Sequence, residues 1–222
     1  MDLTLKEKLL LLAYHPDKGT NLIPTYVGHG IAGAILLELA ALKKINIEDN
    51  RIRLLDHKKT GDDQLDYLIN ILSNSSKNYK VKSILAKIQG KTSMIKKPLL
   101  EGLVKKRYLK REEKRFLIFR YNRYPSANIS YRKDLIEYIR RLVLRNINSD
   151  NDIPLLAGLT GATRLSAKFF HNKEERKIAT KRIKEIVKEN QVDQAIDETI
   201  KAVQAAIMAS IVTTVVITSA SN

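Results

Sequence analysis

The residues of this chain best suited to chemistry are cations, and they are gathered together. The run Lys105-Lys106-Arg107-Tyr108-Leu109-Lys110-Arg111-Glu112-Glu113-Lys114-Arg115-Phe116-Leu117-Ile118-Phe119-Arg120 places Lys and Arg on both sides of a short apolar stretch. Lys96 and Lys97 stand side by side upstream. Ammonium and guanidinium groups at this density bind phosphates and carboxylates, Lys as a point charge and Arg through a two-pronged hydrogen bond. Between residues 77 and 145 lie 21 of the 40 Lys and Arg but only 5 of the 24 Asp and Glu. The formal net charge of +16 therefore belongs to one third of the chain. A field so concentrated draws a polyanion to one face: a phosphate-bearing membrane, a nucleic acid or an acidic protein.

Other chemistries find little support. With no cysteine there are no disulfides, thiolate metal sites or cysteine nucleophiles. His15, His29, His57 and His171 are scattered without metal-ligand spacing, and His29 reads as a core residue on an apolar helix. Gly28-x-Gly30-x-x-Gly33 has the spacing of a dinucleotide fingerprint, but no strand precedes it and no βαβ alternation follows, so its glycines read as helix-packing positions. Tyr14-His15-Pro16-Asp17-Lys18-Gly19 looks like a chaperone J-domain loop, yet only thirteen residues precede it, and its composition is that of a surface turn. The acidic pairs Glu112-Glu113 and Glu174-Glu175 read as solvated charges in turns or on polar faces. No catalytic residue, metal or cofactor is expected, and the chain is read as a non-enzyme.

The elements that must position the cations are mostly helical. Periodicity and caps predict helices over 3–13 with Thr4 as cap, 26–44, 62–72, 81–88, 93–107, and from Asn128 or Ser130 through Arg145. In the last of these Leu135, Ile136, Ile139, Leu142 and Val143 form the apolar stripe. After a break at 146–152 come helices over 155–170 and 173–188 and a final one from about Val192. Ala202 to Ala220 carries no charge; its Ala, Ser and Thr content suits a buried core helix, the alternative being a membrane anchor. Two β-hairpins interrupt the helices. Ile45 to Leu55 alternates around an acidic turn, and Tyr108 to Arg120 reads as strand, charged turn, strand. Leu36-Leu37-Glu38 before the first and Leu99-Leu100-Glu101 before the second hint at an internal duplication. The N-terminus has no export signal, which makes the cytoplasm the default location. The fold class is mainly α: one domain over 1–222 with a central buried bundle and one or two hairpins.

Three readings of the basic hairpin stay open on residues alone. Its apolar residues pack inward beneath solvated cations, or it is the wing of a winged-helix nucleic-acid binder, or it meets a membrane while Lys and Arg bind lipid phosphates.

An ordered set of short motifs bears on the choice. Leu3-Thr4-Leu5-Lys6-Glu7-Lys8-Leu9-Leu10-Leu11-Leu12, Gly30-Ile31-Ala32-Gly33-Ala34-Ile35-Leu36-Leu37-Glu38-Leu39-Ala40, Leu103-Val104, Leu109, Phe116-Leu117-Ile118-Phe119, Pro125 and Ala179-Thr180-Lys181-Arg182-Ile183 run through nearly the whole chain. Together they resemble the Golgi phosphoprotein 3 family, which includes a yeast vacuolar-sorting homologue and many bacterial members. The Lys- and Ile-rich composition fits a bacterial one. The resemblance implies a helical domain with a projecting hairpin, associated with oligomer contacts, in a peripheral membrane protein that binds phosphatidylinositol 4-phosphate and grips cytoplasmic tails of membrane proteins. Carried over by position, the family's headgroup residues, a Trp and three Args, fall on Ile23, Ala32, Ser93 and Lys96, and only Lys96 keeps a charge.

The resulting expectation is a protein on the cytoplasmic face of a membrane. Lys96, Lys97, Lys114 and Arg115 bind anionic lipid, and Phe116, Leu117 and Phe119 serve hairpin packing, a membrane contact or a homo-oligomer interface. Tails of membrane proteins are further candidate partners, and a nucleic-acid binder using the 105–120 hairpin is the alternative.

Overall fold

In the computed structural model, which describes residues 3–74, 78–147, 152–170, 172–189, 199–200 and 202, helices alternate with two small antiparallel sheets. In chain order the elements are α1 (Leu5–Leu12), α2 (Val27–Ala41), β1 (Ile45–Glu48), β2 (Arg51–Leu54), α3 (Asp63–Ser73), β3 (Tyr79–Lys80), α4 (Val81–Gly90), α5 (Thr92–Lys105), β4 (Glu112–Phe116), β5 (Phe119–Arg123), α6 (Ile129–Arg145), α7 (Asp152–Ala162) and α8 (Lys173–Glu189). A 3₁₀ turn, Leu165–Lys168, follows α7. The mainly α expectation holds. Most of the expected final helix, and with it Ala202 to Ala220 beyond its first residue, lies outside the described residues. Among those described, no helix is long and apolar enough to cross a membrane.

The core is built outward from α1. Thr4 and Glu7 close a capping box, with the Glu7 carboxylate accepting from the Thr4 amide at 3.0 Å. Every residue of α1 is buried, its charges included, so each charge needs a partner. Lys6 Nζ lies 2.6 Å from Glu38 on α2 and 2.7 Å from Asp62, the cap of α3. Glu7 is held by Lys106 at 2.7 Å and Lys8 meets Asp152 at 3.2 Å. Burial alone would favour the neutral amine of Lys6; Glu38 and Asp62 outweigh it and hold its pKa above the ordinary lysine value.

Leu9 to Leu12 of α1 meet Ile31, Ile35, Leu36, Leu37 and Leu39 of α2 in one apolar cluster. Gly28 and Gly30 of α2 act as packing positions. A Cβ on Gly30 would meet Leu9 Cδ2 at 2.8 Å and Thr163 Cγ2 at 2.9 Å, and one on Gly28 would strike Thr92 Oγ1. These two positions therefore face different neighbours, Gly30 toward α1 and the end of α7, Gly28 toward the start of α5.

The first hairpin forms where alternation predicts it, with Ile47 paired to Ile52 and both buried. Its acidic turn, Asp49-Asn50, has φ of 49° and 59°, as a two-residue hairpin loop with both residues left-handed requires. A third strand, β3, adds to β2 and was not expected. Both helix-to-hairpin joints use the same geometry. Lys44 N donates to Leu39 O, and Tyr108 N to Leu103 O, each at 2.9 Å, just after a left-handed residue, Lys43 (φ 54°) and Arg107 (φ 62°).

Several details differ from expectation. Asn128 alone caps α6, its Oδ1 accepting from Tyr131 N at 3.0 Å, while Ser130 lies inside the helix. Ile136 is only half buried, whereas Leu135, Ile139, Leu142 and Val143 form the stripe. The helix expected over 155–170 starts at Asp152 and breaks at Arg164, whose φ is 60°. Glu175 is not simply solvated: Arg140 grips its two oxygens at 3.0 and 3.2 Å.

The Tyr14–Gly19 stretch is a turn, as its composition implies. His15 Nδ1 accepts from the amides of Asp17 and Lys18, both at 3.2 Å. This turn braces the chain where it leaves the second hairpin. Tyr124 N donates to Gly19 O at 2.9 Å and Ser126 N to Pro16 O at 2.8 Å, while Tyr14 and Tyr124 meet edge to face.

Candidate functional site

The second hairpin departs from its expected register. Its turn is not the charged stretch before Phe116 but Leu117-Ile118, because Phe116 pairs with Phe119 and Arg115 with Arg120. Glu112 to Arg115, read as a turn with solvated acids, is strand β4. The apolar run is thus the tip of the hairpin rather than a packed strand. Phe116 is 67% exposed, Leu117 73%, Ile118 81% and Phe119 67%, and every residue from Glu113 to Asn122 is exposed. Inward packing of the apolar residues is overturned.

The turn itself is costly. Leu117 has φ 54°, a region that two-residue hairpin loops normally give to Gly or Asn. A donation from Arg115 Nε to Leu117 O at 2.9 Å holds the loop. The chain thus keeps a large apolar side chain in water, at a position where neither burial nor backbone preference favours it.

Alternation divides the charges between two faces. Cross-strand pairing puts Phe116 and Phe119, Lys114 and Tyr121, and Glu112 and Arg123 on one face. Arg115 faces Arg120 on the other, with Glu113 opposite Asn122 behind them. Like charges directly opposed in an antiparallel pair are destabilising, so this Arg pair is no gain to the fold. Among the described residues its carboxylate partner is Glu113, 3.4 Å from Arg120, and both are largely exposed, so that contact contributes little. Two forks side by side, just behind an apolar tip, form a ready receptor for phosphate oxygens. Lys114 is tied to Glu112 at 3.0 Å.

Arg120, Ile118 and Tyr121 are the hairpin residues that the sequence reading left out of its site. A cue was present: Arg115-Phe116-Leu117-Ile118-Phe119-Arg120 reads nearly the same in both directions, and its centre marks the turn.

The structure does not unite the four expected lipid ligands. Lys96 and Lys97 lie in the second turn of α5, half buried and exposed respectively, whereas the hairpin leaves from the far end of that helix. Among the described residues no hydrogen bond or ion pair joins these two lysines to the hairpin. The positions onto which the resemblance carries headgroup residues do not share one polar surface: Ile23 is buried, Ala32 is fully buried and Ser93 is exposed.

A sequence profile of the family described as Golgi phosphoprotein 3 (GPP34) matches residues 5–203. The chain belongs to this family. It is 30% identical over 173 residues to vacuolar protein sorting-associated protein 74 of Schizosaccharomyces pombe, which covers 67% of this chain and 51% of that protein. It is also 30% identical over 136 residues to a VPS74-like protein of Dictyostelium discoideum, covering 53% and 51%. With the Eremothecium gossypii vacuolar protein sorting-associated protein 74 it shares 26% identity over 167 residues, covering 65% and 50%. The chain thus spans about half the length of the curated relatives it matches. In this Golgi phosphoprotein 3 family member the hairpin tip is exposed, and of the positions compared above only Lys96 carries a charge.

Proposed function

We propose that this Golgi phosphoprotein 3 family member is a non-catalytic peripheral membrane protein that binds anionic lipid with its second hairpin. One observation carries the reading: four consecutive apolar residues at a hairpin tip stand in water directly ahead of an opposed Arg pair. Apolar tips partition into the interfacial region while cations near an anionic surface each add about 1 kcal/mol. Phe116, Leu117, Ile118 and Phe119 enter the interface, Arg115, Arg120 and Lys114 meet phosphates, and Lys96 and Lys97 add a second basic patch. A cytoplasmic-face adaptor for membrane-protein tails extends the same proposal, in line with the vacuolar-sorting names of the relatives. A nucleic-acid wing would put cations at its tip to meet phosphates, whereas this hairpin puts Leu and Ile there.

The test is co-sedimentation of the full chain with phosphatidylcholine vesicles containing phosphatidylserine, beside a duplex-DNA shift assay, both across salt. Vesicle binding that weakens but persists at high salt is expected, since the apolar part is not screened. Tighter binding to duplex DNA than to acidic vesicles at physiological salt would overturn the proposal.

A further inference from the structure

Beside the first hairpin, a polar cavity of about 230 Å³ is lined by Ile52, Arg53 and Leu54 of β2, His57, Leu72 and Ser73 at the end of α3, and Asn78 just before β3. We propose that this cavity binds one carboxylate group, gripped by the two-pronged guanidinium of Arg53.

The charges around Arg53 are the first reason. Among the described lining residues Arg53 is the one full cation in the formal charge at pH 7, His57, Ser73 and Asn78 add polar hydrogens, and none is acidic. Alternation along β2 buries Ile52 in the core and turns Arg53 to the other face. The residue opposite Arg53 is the neutral Asn46, whereas Arg51 stands opposite Glu48. Asp56, next to His57 in the chain, is already engaged by Lys44 Nζ at 2.6 Å and by the Lys58 amide at 2.8 Å. Among the described residues the Arg53 guanidinium thus has no ion pair or hydrogen bond. A planar carboxylate is its natural complement, since two oxygens meet two parallel N–H groups.

Two hydrogen-bonding contacts hold the walls together. His57 Nδ1 lies 3.1 Å from Ser73 Oγ, tying the loop after β2 to the end of α3, and Arg51 Nη1 donates to Asn78 O at 3.2 Å. When Nδ1 accepts from the Ser73 hydroxyl, the ring proton sits on Nε2, which supplies a second donor for a ligand. Charge balance then selects the anion. The C-terminal end of α3 brings roughly half a negative charge to the same cavity and offsets part of Arg53. What remains suits a monoanion, whereas a phosphate monoester at about −1.5 to −2 would stay undercompensated. The cavity is also smaller than the roughly 300–1,000 Å³ of sites that enclose a drug-sized ligand, so it takes the acid group and leaves the rest of the molecule outside.

None of Ile23, Ala32, Ser93 and Lys96 lines this cavity, and no residue of the second hairpin does. Carboxylate binding here is therefore independent of the lipid reading and survives if that reading fails.

Titration of the full chain at pH 7 and constant ionic strength tests the site, followed by the NMR signals of the His57 ring, which His57→Gln identifies by their loss. Acetate should give a saturable shift. Arg53 is exposed, so Arg53→Gln and Arg53→Lys should melt as the parent does. Arg53→Gln should weaken acetate binding about tenfold or more, the scale of losing a charge-assisted hydrogen bond. Arg53→Lys keeps the charge without the fork and should recover only part of that loss. The hairpin double variant Arg115→Gln/Arg120→Gln should bind acetate as the parent does.

N-acetylalanine and its neutral amide separate the sources of the carboxylate. Tighter binding of N-acetylalanine than of acetate assigns the site to the C-terminus of a peptide, and binding no tighter assigns it to a free organic acid. The proposal is overturned if the parent shows no saturable shift, or if the amide binds as the acid does. Tighter binding of glycerol 3-phosphate than of acetate, parent-like binding in Arg53→Gln or full recovery in Arg53→Lys would also overturn it.

Discussion

Truncating Ile118 to Ala isolates the apolar part of membrane binding. The side chain is 81% exposed, so the fold loses almost nothing, and the change in stability should stay within about 0.5 kcal/mol. In the bound state the arithmetic differs. Ile→Ala removes three carbons, worth roughly 2.4 kcal/mol at about 0.8 kcal/mol per buried CH₂. Only the part in water before binding counts, about four-fifths, which leaves roughly 1.9 kcal/mol, or about a 25-fold weaker partition. The assay is co-sedimentation with phosphatidylserine-containing vesicles at two salt concentrations, with thermal melts and analytical ultracentrifugation alongside. The loss should be the same at both salts, because transfer of hydrocarbon carries no counterions. Arg115→Gln/Arg120→Gln should instead lose affinity at low salt and converge with the parent at high salt. A partition change below about threefold would refute insertion of the tip. So would a change in sedimentation that accounts for the whole effect, which would give the tip to a second copy of the chain.

Lys6→Met should cost about 3–5 kcal/mol in denaturant unfolding, because Glu38 is left buried without its cation; adding Glu38→Leu should recover part of that loss. Gly19→Ala forces a Cβ to within 2.5 Å of the backbone nitrogens of Tyr124 and Pro125, at a φ of 59°. It should destabilise the chain by about 2 kcal/mol or more by thermal melt and weaken vesicle binding in proportion to the disturbed hairpin base. His29 is 4% exposed, and burial lowers its pKa, with a bond to the Thr25 backbone pulling the other way. Below the unfolded value of about 6.5 the unfolded chain takes a proton that the folded chain refuses, so stability present above that pH is lost as pH falls. His29→Leu should flatten this part of the melting-temperature profile between about pH 7 and 5; an unchanged slope would show that another group titrates there.

Where local chemistry decides, the sequence was readable. Asp62 before an apolar repeat places α3, and Thr4 with Glu7 places α1, because caps and periodicity act within one or two turns. The first hairpin followed from its alternation and from Asp49-Asn50, residues that tolerate positive φ. The second did not, for the same reason inverted. Leu117 carries no turn preference, and an apolar run is ordinarily assigned to the interior. Strand β3 has two residues and exists only because β2 offers an edge, which no local pattern announces. Long-range pairings such as Lys6 with Asp62 or Arg140 with Glu175 are equally invisible until helices are packed. The site was therefore legible as a segment and in its charge, while its geometry, with Arg115 against Arg120, was not.

The length of the hairpin also governs how the protein can stand on a bilayer. Each strand has five residues, and at about 3.4 Å per residue the tip is carried roughly 14 Å beyond the base. The screening length at physiological salt is about 8 Å. Upright insertion would hold the body at a standoff where its own lysines no longer feel the lipid charge, leaving Lys114, Arg115 and Arg120 to supply the attraction. A hairpin lying flat would bring further cations within range. The slope of binding against salt concentration counts engaged cations, and so reports the posture of the protein as well as its affinity.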